Sequence, residues 1–75
     1  MGAYRLEKKQ DGTIIIRGKR LEQFTRMTNF GATGGLDRFR HVIDRIGLSK
    51  AIKKARDKDE EALVYVADMR IDEYL

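Results

Sequence analysis

Apolar and polar residues alternate in two short runs near the beginning of the chain. Residues 4–8 alternate in this way, and residues 13–17 contain three successive isoleucines. A period of two is typical of a strand with one buried face, and β-branched residues favour the pleated backbone. Asp11 and Gly12 between the runs are a strong turn signal. The pattern therefore predicts a β-hairpin at the start of the chain.

The next segment has the spacing of a helix. Leu21, Phe24 and Thr28 recur at intervals of three and four residues, with Met27 beside them. Residues at these intervals share one helical face, so we expect this set to point inward. Asn29 suits a left-handed helix end.

Two further helices are expected. The apolar stripe of the second consists of Leu36, Phe39, Val42 or Ile43, and Ile46. Thr33 is suited to cap its beginning and Gly47 its end. A shorter third helix is predicted from Ser49, its cap, to Arg56, with an inward face of Ala51, Ile52 and Ala55.

The chain closes with a second strand pattern. Residues 57–61 form a charged, solvated loop, and residues 63–66 and 69–72 then predict a hairpin around Ala67 and Asp68. The order of elements is two strands, three helices and two strands. This order favours an α+β fold, with the two hairpins in one sheet and the three helices packed against it. Residues 1–3 are interpreted as an initiation or cloning remnant and residues 4–75 as the domain.

The size and composition of the chain narrow the function classes. With 75 residues it forms one small domain with little room for a deep pocket, which disfavours a free-standing enzyme. The absence of cysteine excludes disulfides and thiolate metal sites. No apolar run approaches the ~20 residues that span a bilayer, and no signal-peptide pattern is present. We expect a monomer in the cytoplasm that does not bind a membrane.

Charge is unevenly distributed along the chain. Residues 1–56 hold 14 Lys or Arg against 5 Asp or Glu, a net charge of +9, whereas residues 57–75 hold 2 against 7, a net charge of −5. A basic body with an acidic strip suits contact with RNA on one side and with a basic partner on the other. The alternative explanation is that a small domain needs these charges only to remain soluble.

Groups for catalysis or metal binding are few. His41 is the one histidine, with no partner pattern for a triad, and we interpret it as a helix-face residue. Asp68, Asp72 and Glu73 suggest a metal site, but a solvated hairpin explains them as well. Residues 31–35 lack the lysine of a phosphate-binding loop. We therefore predict no catalytic, cofactor-binding or metal-binding residue here, and only catalysis that depends on His41 would revive an enzyme hypothesis.

Basic residues are the better candidates for a binding site. They fall around the first and third helices, and those of the third are expected on its open side. The candidates for contact with RNA or a partner are Arg17, Lys19, Arg20, Arg26, Lys50, Lys53, Lys54 and Arg56. Phosphate contacts by such groups are salt-dependent, although a solvated helix face gives the same pattern. Tyr4, Tyr65 and Tyr74 offer rings for base stacking or for ordinary packing.

The motif order resembles a known family. Residues 17–24 (RGKRLEQF) followed by 27–30 (MTNF) are similar to the opening of the C-terminal domain of Obg GTPases. The similarity continues through 36–40 (LDRFR), 46–48 (IGL) and the closing run 64–72. It covers nearly the whole chain. Family members differ at Thr33, Gly34 and Gly35, which predicts a later or more easily frayed start of the second helix, and they carry a glycine where Ala67 stands.

The resemblance implies a regulatory and binding tail of a cytoplasmic GTPase that acts in assembly of the large ribosomal subunit and in growth and stress control. It also implies that GTP and magnesium bind in a central domain outside this chain. The expected partners are that GTP-binding domain and the ribosome or its RNA. The alternative is a separate basic module that binds ribosomal RNA.

Overall fold

Two hairpins from opposite ends of the chain join in one sheet in the computed structural model, which describes residues 3–75. β1 (Arg5–Lys8) pairs antiparallel with β2 (Ile14–Arg17), as β3 (Val64–Val66) does with β4 (Met69–Arg70). β2 and β3 run parallel side by side, so the strand order is β1-β2-β3-β4. Met1 and Gly2 lie outside the described residues, and the interpretation of residues 1–3 as a remnant stays a prediction.

Three helices connect the parallel central strands. They are α1 (Lys19–Met27), α2 (Thr33–Arg45) and α3 (Leu48–Arg56), and a short 3-10 turn, Asp72–Tyr74, follows β4. Parallel neighbours need a long crossover, which the helices supply. α1 packs against β3, α3 packs against β2, and α2 packs against α3. The α+β class and the order of two strands, three helices and two strands are confirmed.

The core lies between the helices and one face of the sheet. Its strand residues are the inward half of β2 and β3, its helical residues are spread over all three helices, and Ile71 closes one side. The buried cluster consists of Ile14, Ile16, Leu21, Phe39, Ile43, Leu48, Ile52, Val64, Val66 and Ile71. Burial of one such side chain contributes roughly 1.5–3 kcal/mol. The helices therefore cover one face of the sheet and leave the other open.

The inward face of α1 differs from the predicted one. Leu21 and Thr25 are its buried residues, whereas Met27 is 77% exposed. Thr25 is tolerated in the core because its hydroxyl donates to the carbonyl oxygen of Leu21 at 2.8 Å. Thr28 already lies beyond the last turn. The spacing of three and four residues was correct, but the face is rotated toward position 25.

The helix ends also correct the sequence interpretation. Asn29 does not adopt a left-handed conformation; its side-chain oxygen accepts from the Gly31 N–H at 3.1 Å instead. α2 begins at Thr33, so the expected later start is wrong, and Thr33 is not its cap. Gly47, with φ of 82°, separates α2 from α3, which begins at Leu48 rather than after a Ser49 cap. The left-handed glycine allows the reversal between the two helices.

Side chains of the first strand region hold the ends of two helices. The hydroxyl of Tyr4 donates to the carbonyl oxygen of Ile46 at 3.2 Å, just after α2. The ammonium group of Lys8 donates to the carbonyl oxygen of Ala55 at 2.9 Å, in the last turn of α3. A cation at a helix C-terminus is favourable because it meets unpaired carbonyls. The two bonds fix α2 and α3 against the hairpin.

Candidate interaction surfaces

The first candidate surface is the outer side of α1. Lys19, Arg20 and Arg26 are exposed there, and among residues 3–75 none of them forms an ion pair within 4 Å. Lys19 and Arg20 occupy the first turn, where the positive end of the helix dipole disfavours cations. Helix stability therefore does not explain these two charges.

The second candidate surface is the outer side of α3. Lys50, Lys53 and Lys54 are exposed, and the described part of the chain supplies no carboxylate within 4 Å of them. Lys53 and Lys54 lie in the last turn, where a cation stabilises the helix. For these two lysines, as for Arg26 in the last turn of α1, the dipole offers a structural explanation that Lys19 and Arg20 lack.

Arg56 does not lie on the open side of α3 with these lysines, contrary to the sequence prediction. Its guanidinium donates from Nη2 to the carbonyl oxygen of Ala62 at 2.7 Å. Its Nε is buried and finds no acceptor among residues 3–75. Arg56 therefore ties the end of α3 to the segment before β3. Its position suits a structural role better than a surface contact.

Arg17 is also placed away from the first helix. It is the last residue of β2, and its Nε donates to a carboxylate oxygen of Glu7 at 2.9 Å. The eight predicted residues therefore do not form one site. Three lie on α1, three lie on the outer side of α3, Arg56 is partly buried, and Arg17 lies on the opposite face of the sheet.

The uncovered side of the sheet is a third surface. We call it the open face and define it by the outward residues of the four strands, Arg5, Glu7, Ile15, Arg17, Tyr65 and Arg70. Sequence reasoning missed Arg5 and Arg70. Alternation marks them as outward residues of their strands, but only the parallel pairing of β2 with β3 brings the two hairpins together.

Two carboxyl groups on this side are held in the charged form. Burial acts to raise the pKa of Glu7, but the hydrogen bond from Arg17 and the charges of Arg17, Lys9 and Arg5 bring it below the ordinary value. Burial likewise opposes ionisation of Asp72, whose pKa is lowered by hydrogen bonds from Arg70 and from the Val64 N–H. Both carboxylates therefore act as anchors for arginines.

All three tyrosines are half-buried, and two of them have packing partners. Tyr4 bonds to the end of α2, and the ring of Tyr74 stacks on that of Phe30 with centroids 4.3 Å apart. Tyr65 is the one of the three on the open face, where it pairs with Ile15 on one side and Arg70 on the other. Of the three rings, Tyr65 is therefore the one available for stacking on a ligand.

A cavity of about 450 Å³ lies between α2 and α3. Arg40 and Lys53 line it above the apolar side chains of Ile43 and Ile52. The two isoleucines are only 2% and 3% exposed, so they offer a ligand little area. Glu60 contributes negative charge to the same cavity. The cavity therefore has no clear charge preference.

Groups for chemistry are sparse in the described structure. Within residues 3–75 no three His, Cys, Asp or Glu side chains are placed to hold a metal ion. His41 is exposed on α2. None of the helices in the described chain combines the length and the apolar character needed to cross a membrane.

These features define a class: a small α+β domain with basic helices on one side and an arginine-rich sheet face on the other. A family model described as "Domain of unknown function (DUF1967)" matches residues 4–72. The chain therefore belongs to this family, which is the C-terminal domain of Obg GTPases. The resemblance found in the motifs is confirmed.

Full-length relatives give the same result. The protein named GTPase Obg from Syntrophomonas wolfei is 34% identical over 55 residues, covering 73% of this chain and 13% of the relative. GTPase Obg from Herpetosiphon aurantiacus is 34% identical over 47 residues, covering 63% and 11%. GTPase Obg from Listeria monocytogenes is 29% identical over 56 residues, covering 75% and 13%. The chain thus spans only 11–13% of the length of these relatives. No solved structure matches.

Proposed function

We propose that this chain is a non-catalytic regulatory and binding domain of an Obg-family GTPase that acts in assembly of the large ribosomal subunit and in growth and stress control. Family membership over residues 4–72 carries the proposal. The relatives are named as GTPases and are about eight times longer than the matched segment. GTP and magnesium then bind in another domain of the parent protein, and this domain modulates that activity or the docking on the ribosome.

The partners follow from the same proposal. The GTP-binding domain of the parent chain is the first, and the large ribosomal subunit is the second. The domain acts as a monomer within a cytoplasmic protein. The unpaired cations at the beginning of α1, Lys19 and Arg20, favour an acidic partner surface, because they do not help the helix that carries them.

A comparison of the parent GTPase with and without this domain tests the proposal. We expect removal of the segment that matches residues 4–75 to change GTP turnover, association with the large subunit, or both. The double variant Lys19→Glu/Arg20→Glu in the full parent is the finer test, because it keeps the fold. Arg38→Glu/Lys58→Glu, at two exposed cations outside the eight candidate residues, is its charge-matched control. Unchanged turnover and unchanged subunit association after the deletion would contradict the proposal.

A second candidate function is binding of ribosomal RNA by the helices. Six exposed cations on α1 and α3 without carboxylate partners in the described chain favour it. Affinity for a labelled ribosomal RNA fragment should then fall with salt at a log–log slope of roughly 0.7–0.9 per phosphate contact. Charge reversal at Lys19, Arg20 and Arg26 should reduce that slope. A flat salt response would remove this candidate.

A further inference from the structure

The open face is the side of the sheet that the helices leave uncovered. One row of residues crosses all four strands: Glu7 is opposite Ile15, Ile15 is beside Tyr65, and Tyr65 is opposite Arg70. Neighbouring strands are about 4.8 Å apart. The row is therefore a strip about 14 Å wide, with the aromatic ring of Tyr65 and the aliphatic side chain of Ile15 at its centre.

Positive charge is in excess at one end of this strip. The carboxylate of Glu7 lies 2.9 Å from Arg17, 3.6 Å from Arg5 and 3.9 Å from Lys9. Three cations thus share one anion, which leaves a local charge of +2. The side chains of Arg5 and Lys9 remain 74% and 51% exposed, so an external anion can reach them.

The other end of the strip is ordered by an ion pair. Arg70 donates from Nε and Nη2 to both carboxylate oxygens of Asp72, at 3.0–3.1 Å. The Asp72 side chain is only 10% exposed and also accepts from the Val64 N–H. Arg70 is therefore held in place beside Tyr65, where its planar guanidinium extends the stacking surface.

The geometry points to a single-stranded nucleic acid as the ligand of the open face. We propose that a base stacks on Tyr65 and Ile15 and that the adjoining phosphates lie along β1, against Arg5, Lys9 and Arg17. An aromatic platform combined with a track of cations is the arrangement by which sheets bind single strands with little sequence preference. Arg5 lies on β1, two strands or about 10 Å from the strand of Tyr65, and Arg17 lies on the adjacent β2. One nucleotide can bridge this distance.

A protein partner fits this surface less well. The charge excess of the strip is concentrated at one edge, around Arg5, Lys9 and Arg17. An apolar partner would leave that excess unpaired. This inference goes beyond the proposed function and uses a different surface from the RNA contact by the helices, so each can fail without the other.

Fluorescence anisotropy with labelled 12-nucleotide oligouridine and oligothymidine tests the proposal on this 75-residue chain. We expect binding at low salt that weakens roughly 10-fold between about 50 mM and about 200 mM salt, as two to three phosphate contacts require. Tyr65→Phe should bind within about twofold of the unaltered chain, because it keeps the ring. Tyr65→Leu should weaken binding about 5- to 100-fold, because it keeps the bulk and loses the π face. If the substitutions weaken binding of both oligonucleotides equally, the face recognises single strands of RNA and DNA alike. Tighter binding of one oligonucleotide shows whether RNA or DNA is the preferred ligand.

Charge reversal separates the open face from the helices. Arg5→Glu and Lys50→Glu change the net charge equally, but only Arg5 lies on the open face. We expect Arg5→Glu to weaken binding at least fivefold more than Lys50→Glu, with circular dichroism spectra that match the unaltered chain. The proposal would be overturned if Arg5→Glu and Lys50→Glu lost equal affinity or if Tyr65→Leu bound as tightly as the unaltered chain. Absence of binding by the unaltered chain at low salt would also overturn it. A further contrary outcome is that the chain binds a labelled glutamate-rich peptide through Tyr65 and binds neither oligonucleotide. The open face would then be a binding site for a protein.

Discussion

The ring of Phe39 stacks on the ring of Phe24, with centroids 5.9 Å apart and an angle of 9° between the ring planes. Phe30 meets Phe39 edge-on at 4.8 Å and in turn stacks on Tyr74. One fully buried side chain on α2 thereby joins α1, the connecting loop and the 3-10 turn at the end of the chain. Aromatic pairs of this kind add about 0.5–1.5 kcal/mol to the effect of burial alone.

Replacement of this central ring should strongly destabilise the fold. We expect Phe39→Ala to lower the free energy of unfolding by about 3–5 kcal/mol, because the lost burial adds to the cavity left behind. For so small a domain this loss approaches the whole stability. Met27→Ala, at a residue that is 77% exposed, is the control and should change the free energy by less than about 0.5 kcal/mol. Urea denaturation followed by circular dichroism measures both, and equal effects would contradict the packing.

Two adjacent glycines in the first turn of α2 should respond to alanine in opposite directions. A Cβ on Gly34 meets nothing within 4 Å, whereas one on Gly35 would overlap the carbonyl oxygen of Asn29. Gly34→Ala should therefore stabilise by up to about 1 kcal/mol through helix propensity. Gly35→Ala should destabilise, because the loop before α2 must move. Thermal melts of the two variants give the comparison, and a gain in melting temperature for both would refute the close approach.

The turn of the second hairpin contains backbone strain that glycine would relieve. Ala67 has φ of 55°, in the left-handed region, where a Cβ costs roughly 1–2 kcal/mol. Glycine also raises the entropy of the unfolded chain, which offsets part of the gain. We expect Ala67→Gly to stabilise by up to about 1 kcal/mol. The matched control, Ala62→Gly, removes a buried methyl group at a residue without positive φ and should destabilise. A lower melting temperature for Ala67→Gly would argue against this backbone conformation.

Acid should weaken the domain through Asp72. Its pKa is below the ordinary value in the folded state, since hydrogen bonds from Arg70 and Val64 outweigh the opposing effect of burial. The folded state therefore binds the proton less readily than the unfolded chain. The stabilisation is complete above the ordinary pKa of about 3.9 and is lost as pH falls through the lowered value.

Asp72→Asn should accordingly be less stable than the unaltered chain at neutral pH and should lose less on acidification. Asp37→Asn, an exposed position on α2, is the control and should retain the acid dependence of the unaltered chain. Melting temperatures between about pH 2 and about pH 7 provide the measurement. Parallel pH profiles for the unaltered chain and Asp72→Asn would exclude Asp72 as a source of the acid dependence.

Local patterns in the sequence were sufficient for the elements and the class of fold. A hairpin is specified by the alternation in residues 4–8, the β-branched run before Arg17 and the Asp11-Gly12 turn, because adjacent residues alone decide these features. The helical stripes through Phe39 and Ile52 were likewise recognisable from their period. The family resemblance was visible in motifs that surround the same elements.

Tertiary contacts decided which side chains of α1 and α3 are buried, because helical periodicity alone does not specify this. Thr25 rather than Thr28 is buried on α1, because a carbonyl one turn earlier satisfies its hydroxyl. Arg56 is turned away from the lysines of α3 by an acceptor at Ala62, which lies beyond a loop. Neither partner is defined by helical period alone.

The sequence by itself determined the order of the strands and helices, the uneven charge and the family of this protein. Only the tertiary structure decided which charges share a surface. Ile15 and Tyr65 are 50 residues apart in the chain, yet the parallel pairing of β2 with β3 places them side by side. That pairing depends on three helices packing over one face of the sheet, which leaves Tyr65 and the arginines together on the other. Hydrophobic burial selects the covered face, and the open face follows from it.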